Sequence, residues 1–274
     1  MGVTRHGWRK WALAAALSIA ALCVVAEALA GSPEAQPEGS AAGAALAGQY
    51  RHSMASLGGK TRRSVATIAP RGAGFSIAWE EDEGNLFGGI AVSLDGVIGA
   101  AYTEALNGSF RGKGVLAYRI SGGTLEGIRL SSASPATPIQ ETLEGSAVLE
   151  GRYAIARSED AAGNSFHSGH VEIVRDGDTY QMTWYTPTRS DEGVGLRIGD
   201  VLVASYGSGF APGIIAYCAD SGRLTGVVTF GHVGTVGPDS MVRVNDGGGT
   251  GASTETSQRC RAAIDRWNPT LDPN

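Results

Sequence analysis

The chain repeats itself, and that repetition limits what it can fold into. Residues 66–79 (ATIAPRGAGFSIAW) align without a gap on 171–184 (VEIVRDGDTYQMTW), which sets Ile68 on Ile173, Gly72 on Gly177, Phe75 on Tyr180, Ile77 on Met182 and Trp79 on Trp184. Residues 118–130 align in the same way on 217–229, setting Tyr118 on Tyr217, Gly123 on Gly222, Leu125 on Leu224 and Gly127 on Gly226. Gly48-Gln49-Tyr50 answers Gly151-Arg152-Tyr153, and Val97-Ile98 with Tyr102 answers Val201-Leu202 with Tyr206. Four blocks in one order at near-equal spacing mark a unit of roughly 100 residues present twice.

Within each unit apolar and polar residues alternate with period two, and Gly, Asp, Asn or Pro breaks the pattern every 8 to 12 residues or so, as consecutive antiparallel strands require. In the second unit this places strands near 151–156, 169–174, 180–186, 193–198, 201–206, 213–218, 224–230 and 240–244, and the first unit ends its own set near 139–143. Glycine supplies 41 of 274 residues, about twice the ~7% of average soluble proteins, which argues against helix. The turns Asp176-Gly177-Asp178, Gly199-Asp200 and Asp220-Ser221-Gly222 have hairpin length, so strands are expected to neighbour each other in chain order. The fold class is therefore all-β: two tandem eight-stranded antiparallel up-and-down barrels, lipocalin- or avidin-like in style, with two packed sheets as the alternative closure. Alternation turns Phe75, Ile77 and Trp79 inward together, as it does Tyr180, Met182 and Trp184, and on a second strand Leu116, Tyr118 and Ile120 match Ile215, Tyr217 and Ala219.

The start of the chain reads as an export signal. Arg5, Arg9 and Lys10 precede an apolar run over 11–25, and the segment closes on Ala28-Leu29-Ala30, the small-x-small pattern that signal peptidases read. The run is shorter than the ~20 residues needed to span a bilayer. The expected organisation is a signal peptide at 1–30, a flexible leader at 31–43, barrel repeats at 44–145 and 146–245, and a Gly-rich linker with a C-terminal helix at 246–274. Loss of Arg5, Arg9, Lys10 and Glu27 with the signal moves the formal charge from −5 to −7. No basic stripe suits nucleic acid, no later segment is apolar enough to span a membrane, and a bacterial periplasmic or secreted location is expected.

Two cysteines, Cys218 and Cys260, remain after cleavage, and an oxidising compartment favours their pairing. The alternation that turns Tyr217 inward turns Cys218 outward. Residues 257–267 carry Cys260, Ile264 and Trp267 on one helical stripe. The helix is therefore expected to lie outside the second barrel, with Ile264 and Trp267 packed on it and Cys260 bonded to Cys218.

Leu149-Glu150-Gly151-Arg152-Tyr153, Gly169-His170-Val171-Glu172-Ile173, Tyr180-Gln181-Met182-Thr183-Trp184, Gly193-Val194-Gly195 and Leu224-Thr225-Gly226 together resemble a family of small exported bacterial proteins with the pattern G-x-Y, G-x-V-x-I, Y-x-V-x-W, G-x-G and D-G-x-L-x-G-x-W. Its members are often labelled fibronectin-binding. The resemblance spans each unit almost end to end, and it implies a fold without a chemistry, because its motifs are structural glycines and aromatics. The final tryptophan is missing here, with Ile128 and Val228 read at its place.

No G-x-S-x-G elbow, phosphate loop or H-E-x-x-H occurs. His167 and His170 are close in sequence, but a spacing of three on one strand puts them on opposite faces, so neither a metal site nor a cofactor is expected. The candidate ligand-binding residues are Trp79, Tyr102 and Tyr118 in one unit and Trp184, Tyr206 and Tyr217 in the other, aromatics that converge inside a barrel as core or as pocket. The leading functional expectation is an exported, non-enzymatic binding or envelope-interaction module for a small apolar molecule or an extracellular macromolecule. A structural or accessory periplasmic protein without a ligand is the alternative, and an enzyme assembled from residues such as His170, Glu172 and Asp191 is the third.

Overall fold

The computed structural model describes residues 45–55, 60–81, 84–104, 113–207, 212–229, 234–244 and 255–265. The signal segment, the leader, the Gly-rich linker, His232 and Trp267 lie outside the described residues. In chain order the strands are β1 (Gly48–Ala55), β2 (Thr61–Arg71), β3 (Gly74–Glu81), β4 (Leu86–Leu94), β5 (Val97–Glu104), β6 (Lys113–Ser121), β7 (Thr124–Ser131) and β8 (Ser134–Glu144). The second set is β9 (Gly151–Glu159), β10 (His170–Asp176), β11 (Thr179–Tyr185), β12 (Ser190–Ile198), β13 (Val201–Gly207), β14 (Gly213–Asp220), β15 (Arg223–Thr229) and β16 (Val236–Arg243), followed by helix α1 (Glu255–Asp265).

The sheets close into two antiparallel eight-stranded barrels, the expected fold, and not into packed sheets. Two-residue hairpins drive much of this: Asp95-Gly96, Gly122-Gly123 and Ser221-Gly222 all hold positive φ at both positions, the backbone that matches the twist of the flanking strands.

The barrels do not coincide with the sequence repeats. Barrel I runs β1-β16-β15-β14-β5-β4-β3-β2, and barrel II runs β10-β11-β12-β13-β6-β7-β8-β9. Each unit thus lends its last three strands to the other barrel. The expectation that every strand pairs with its neighbour in chain order fails at two places. β5 pairs with β14 through Tyr102↔Gly213 to Val97↔Cys218, and β13 pairs with β6 through Tyr206↔Gly114 to Val201↔Arg119. β6 and β14 are the aligned copies of one strand, so either can fill the gap beside β5 with the same hydrogen bonds and register. Local pairing cannot choose between them.

The exchange is packed in place by a third apolar layer between the barrels. Ile90, Val92, Val97, Ala101 and Ile214 from barrel I meet Val115, Val194, Leu196 and Val203 from barrel II, all essentially inaccessible to solvent. These side chains point out of their own barrels, which is why β13 is buried along its whole length and does not alternate. A Cβ on Gly99 of β5 would stand 2.7 Å from Val203 Cβ on β13, so this glycine allows the close approach of the two sheets. Helix α1 caps the same layer, with Ile264 fully buried and Cys260 bonded to Cys218 at a Cα–Cα distance of 5.7 Å. The outward Cys218 is the anchor of the helix, as expected, but β14 belongs to barrel I and the helix also touches β12 of barrel II, so it lies over the seam between the barrels and not on the outside of the second one.

Candidate functional site

The interiors are lined by the inward faces read from the alternation, with one exchange. Trp79 and Tyr102 share barrel I with Tyr217, and Trp184 and Tyr206 share barrel II with Tyr118. The candidate set therefore converges in two groups of three, and the two tyrosines of β6 and β14 have traded places relative to the sequence units.

Each of those tyrosines lies across a glycine to reach an acid. In barrel I, Tyr217, Gly226 and Asp239 are cross-strand neighbours on β14, β15 and β16, and the Tyr217 hydroxyl donates to Asp239 Oδ1 at 2.7 Å. In barrel II, Tyr118, Gly127 and Glu141 stand in the same relation, and Tyr118 donates to Glu141 Oε2. A Cβ on Gly226 would meet Tyr217 Cδ1 at 2.5 Å, which is the physical reason for this glycine. Burial first, and then the neighbouring carboxylate, pushes both phenols well above their ordinary range. The acids are not aligned in sequence because Asp239 follows its glycine by one residue fewer than Glu141 does.

Beyond this shared core the two barrels differ. In barrel I, His52 of β1 stands between Ser64, its partner on β2, and Asp239 on β16. His52 Nδ1 lies 2.6 Å from Ser64 Oγ, and His52 Nε2 lies 2.9 Å from Asp239 Oδ2. All three residues are buried, at 7%, 7% and 1% relative exposure for His52, Ser64 and Asp239. Asp239 accepts from Tyr217 on one oxygen and faces the imidazole with the other, and an ionised, acceptor-only carboxylate suits both contacts. Above the chain of polar groups a cleft opens at the end of the barrel, walled by Met54, Trp79, Phe87, Tyr102 and Ile215, with Glu81 at its rim and Ser64 and His52 on its floor. It encloses about 320 Å³ of non-protein space including open solvent at the mouth, of which about 30 Å³ is open to the centre of a water molecule. Trp79 packs edge-on to Tyr102 with centroids 6.2 Å apart and lies 6.3 Å from His52. Tyr102 is fixed by donating to the Thr229 carbonyl at 2.6 Å.

In barrel II an arginine fills the corresponding space. Arg129 is 2% exposed, its guanidinium carbon 3.7 Å from the Tyr206 ring centroid and 5.6 Å from that of Trp184. It pairs at 3.7 Å with both Glu141 and Asp191, and Asp191 also meets Arg189 at 3.1 Å. Burial works against the charge on Arg129, but the Glu141 carboxylate and the Tyr206 and Tyr118 phenols outweigh it and hold the guanidinium above its ordinary pKa. Counted from the paired glycines Gly127 and Gly226, the position two residues on is Arg129 in β7 and Val228 in β15. In the pattern that the sequence resembles, the position of the last tryptophan thus falls on Arg129 and not on Ile128, and Arg129 lies against the Tyr206 and Trp184 rings.

The enzymatic set read from the sequence is not assembled. His170 stacks on Tyr185 on the outer face of barrel II, 3.7 Å from Glu172, whereas Asp191 is buried inside with Arg129. His167 lies in the loop before β10, where burial and the Arg129 charge lower its pKa. Among the described residues no group of three His, Cys, Asp or Glu is placed to hold a metal ion, and no helix there is long and apolar enough to cross a membrane. His52, Ser64 and Asp239 were missed because their contact joins strands 187 residues apart through the β1–β16 closure of the barrel. Comparison with protein-family models, with curated proteins and with solved structures finds no match for the chain.

Proposed function

We propose that the protein is an exported binding module that takes a small, largely apolar molecule into the cleft of barrel I, with the polar end of the ligand on His52 and Ser64. The observation that carries this reading is the contrast between two copies of one barrel. Barrel II is filled by Arg129 between Trp184 and Tyr206, whereas barrel I has Val228 at that position and an apolar-walled cleft ending on two polar side chains. Apolar walls with a few convergent polar groups are the usual make-up of a small-molecule site. The 30 Å³ open to water centres holds roughly one or two waters, so a ligand enters by displacing the flexible Met54 side chain and the half-buried Phe87.

The narrowness of that space favours the second reading, a structural or accessory envelope protein without a ligand. Titration of the mature chain with a panel of small alcohols, carboxylic acids, esters and amides, followed by tryptophan emission and melting temperature, separates the two. Binding is expected to give a saturable emission change that Trp79→Phe removes. Ligand at about a hundred times its Kd should add roughly 2.7 kcal/mol of stability. Silence across the whole panel would leave the structural reading.

A further inference from the structure

The floor of the barrel I cleft is built for more than holding a ligand. Resting on the reading of that cleft as a small-molecule site, we propose that Ser64 is a nucleophile activated by His52 and Asp239, and that the cleft hydrolyses esters of short acyl groups.

The argument starts from the order of the groups. A serine hydroxyl 2.6 Å from one imidazole nitrogen, with a buried carboxylate 2.9 Å from the other, is the arrangement in which the imidazole can take the hydroxyl proton while the carboxylate fixes its tautomer. Tyr217 occupies Asp239 Oδ1 as a donor, so Oδ2 is left to accept from His52 Nε2–H, and the Nδ1 lone pair faces Ser64.

The chain carries its own control. Gly169 aligns on Ser64, and Ile155, whose backbone N–H donates to the Gly169 carbonyl, stands where barrel I has His52. Barrel II closes with that Gly and Ile, so the fold does not need the Ser–His pair to close. Ser64 also lines the open cleft, where a substrate carbonyl can reach it.

The chemistry balances with water as the only co-reactant. Ser64 Oγ bonds to the ester carbonyl carbon as its proton passes to His52 Nδ1. The bond from that carbon to the alcohol oxygen then breaks, and the alcohol leaves with the proton from His52. Water next attacks the acyl-serine, giving a proton to His52, and the carboxylic acid departs as Ser64 Oγ recovers its hydrogen. Space in the cleft for roughly one or two waters suits only a short acyl group, with the alcohol portion lying outward over Met54 and Phe87. β2 is paired on both sides at Ser64 and Val65, so its backbone N–H groups are spent in the ladder. β2 therefore supplies no backbone oxyanion donor, a group worth roughly 10²–10³ in rate. Turnover is slow, and with an activated ester, whose good leaving group speeds acylation but not deacylation, the acyl-enzyme accumulates.

The test uses the full mature chain with para-nitrophenyl acetate, read by nitrophenol release and by intact and peptide mass. The expected result is a burst of nitrophenol with one acetyl group mapped to Ser64 in the wild-type chain. Ser64→Ala should lose the adduct and the burst, and His52→Gln should slow acylation by roughly 10²–10⁴-fold. An acetyl group mapped elsewhere, or none, overturns the proposal without reference to how any variant folds, and so does wild-type release from Ser64→Ala. Para-nitroacetanilide, an amide of similar shape, is titrated in parallel against Trp79 emission. If it binds while the ester leaves no adduct, catalysis falls and the binding reading stands; if the ester leaves no adduct and neither the amide nor any member of the ligand panel binds, both fall.

Discussion

Arg129 offers a test of how barrel II is held. Its side chain is 3% exposed and faces Glu141 and Asp191, at 0% and 4%. Replacing it with valine, the residue that barrel I carries and fully buries at Val228, does not affect the two acids equally. Asp191 keeps Arg189 at 3.1 Å, whereas Glu141 is left with only the Tyr118 and Ser158 hydroxyls. A buried carboxylate stripped of its cation costs roughly 3–5 kcal/mol. Arg129→Val is expected to lose that much, including up to ~2 kcal/mol of cation–π contact with Tyr206. Adding Glu141→Gln removes the stranded charge while still accepting from Tyr118, and the double variant should recover about 2 kcal/mol. Urea unfolding of the mature chain with Trp79 or Trp184 as sole reporter, the other and Trp267 replaced by Phe, gives the midpoints. Because each barrel borrows three strands from the other unit, damage in barrel II should lower the Trp79 and Trp184 transitions together. A loss below about 1 kcal/mol, no recovery in the double variant, or two separate transitions would refute the reasoning.

Two further outcomes are expected. Replacing both Cys218 and Cys260 with alanine opens a loop of 42 residues, and the chain-entropy model puts the loss at about 4 kcal/mol, which chemical denaturation of oxidised and variant protein would measure. Tyr102, Tyr118 and Tyr217 all have phenol pKa values raised by burial and a nearby carboxylate. The folded state therefore keeps protons that the unfolded chain loses near pH 10, and the stability they contribute is intact below that pH and falls as pH rises. Each tyrosine removes about 1.4 kcal/mol per pH unit there, and an absorbance titration should show the three ionising only as the protein unfolds.

Much of this molecule was legible in one dimension because strands announce themselves locally. Phe75, Ile77 and Trp79 point inward because alternate Cβ atoms share a face, and the turns at Gly177, Gly199 and Gly222 hold the positive φ that glycine tolerates. The Cys218–Cys260 bridge followed from the same alternation, since the neighbour of an inward Tyr217 must point out. The polar floor of barrel I was not legible. His52 and Ser64 lie on adjacent strands, but nothing in their spacing points to Asp239, which reaches them only when β16 closes on β1.

The duplicated pattern by itself determined the number of strands, their inward faces, the hairpins within each set and the staple to the helix. Which copy of the sixth strand stands beside β5 was decided in three dimensions. β6 and β14 carry the same tyrosine and the same register partners, so pairing energy is nearly indifferent between them. The discriminating contacts, such as Gly99 against Val203 in the layer that also buries Val97 and Val115 between the barrels, exist only once both barrels have formed and packed.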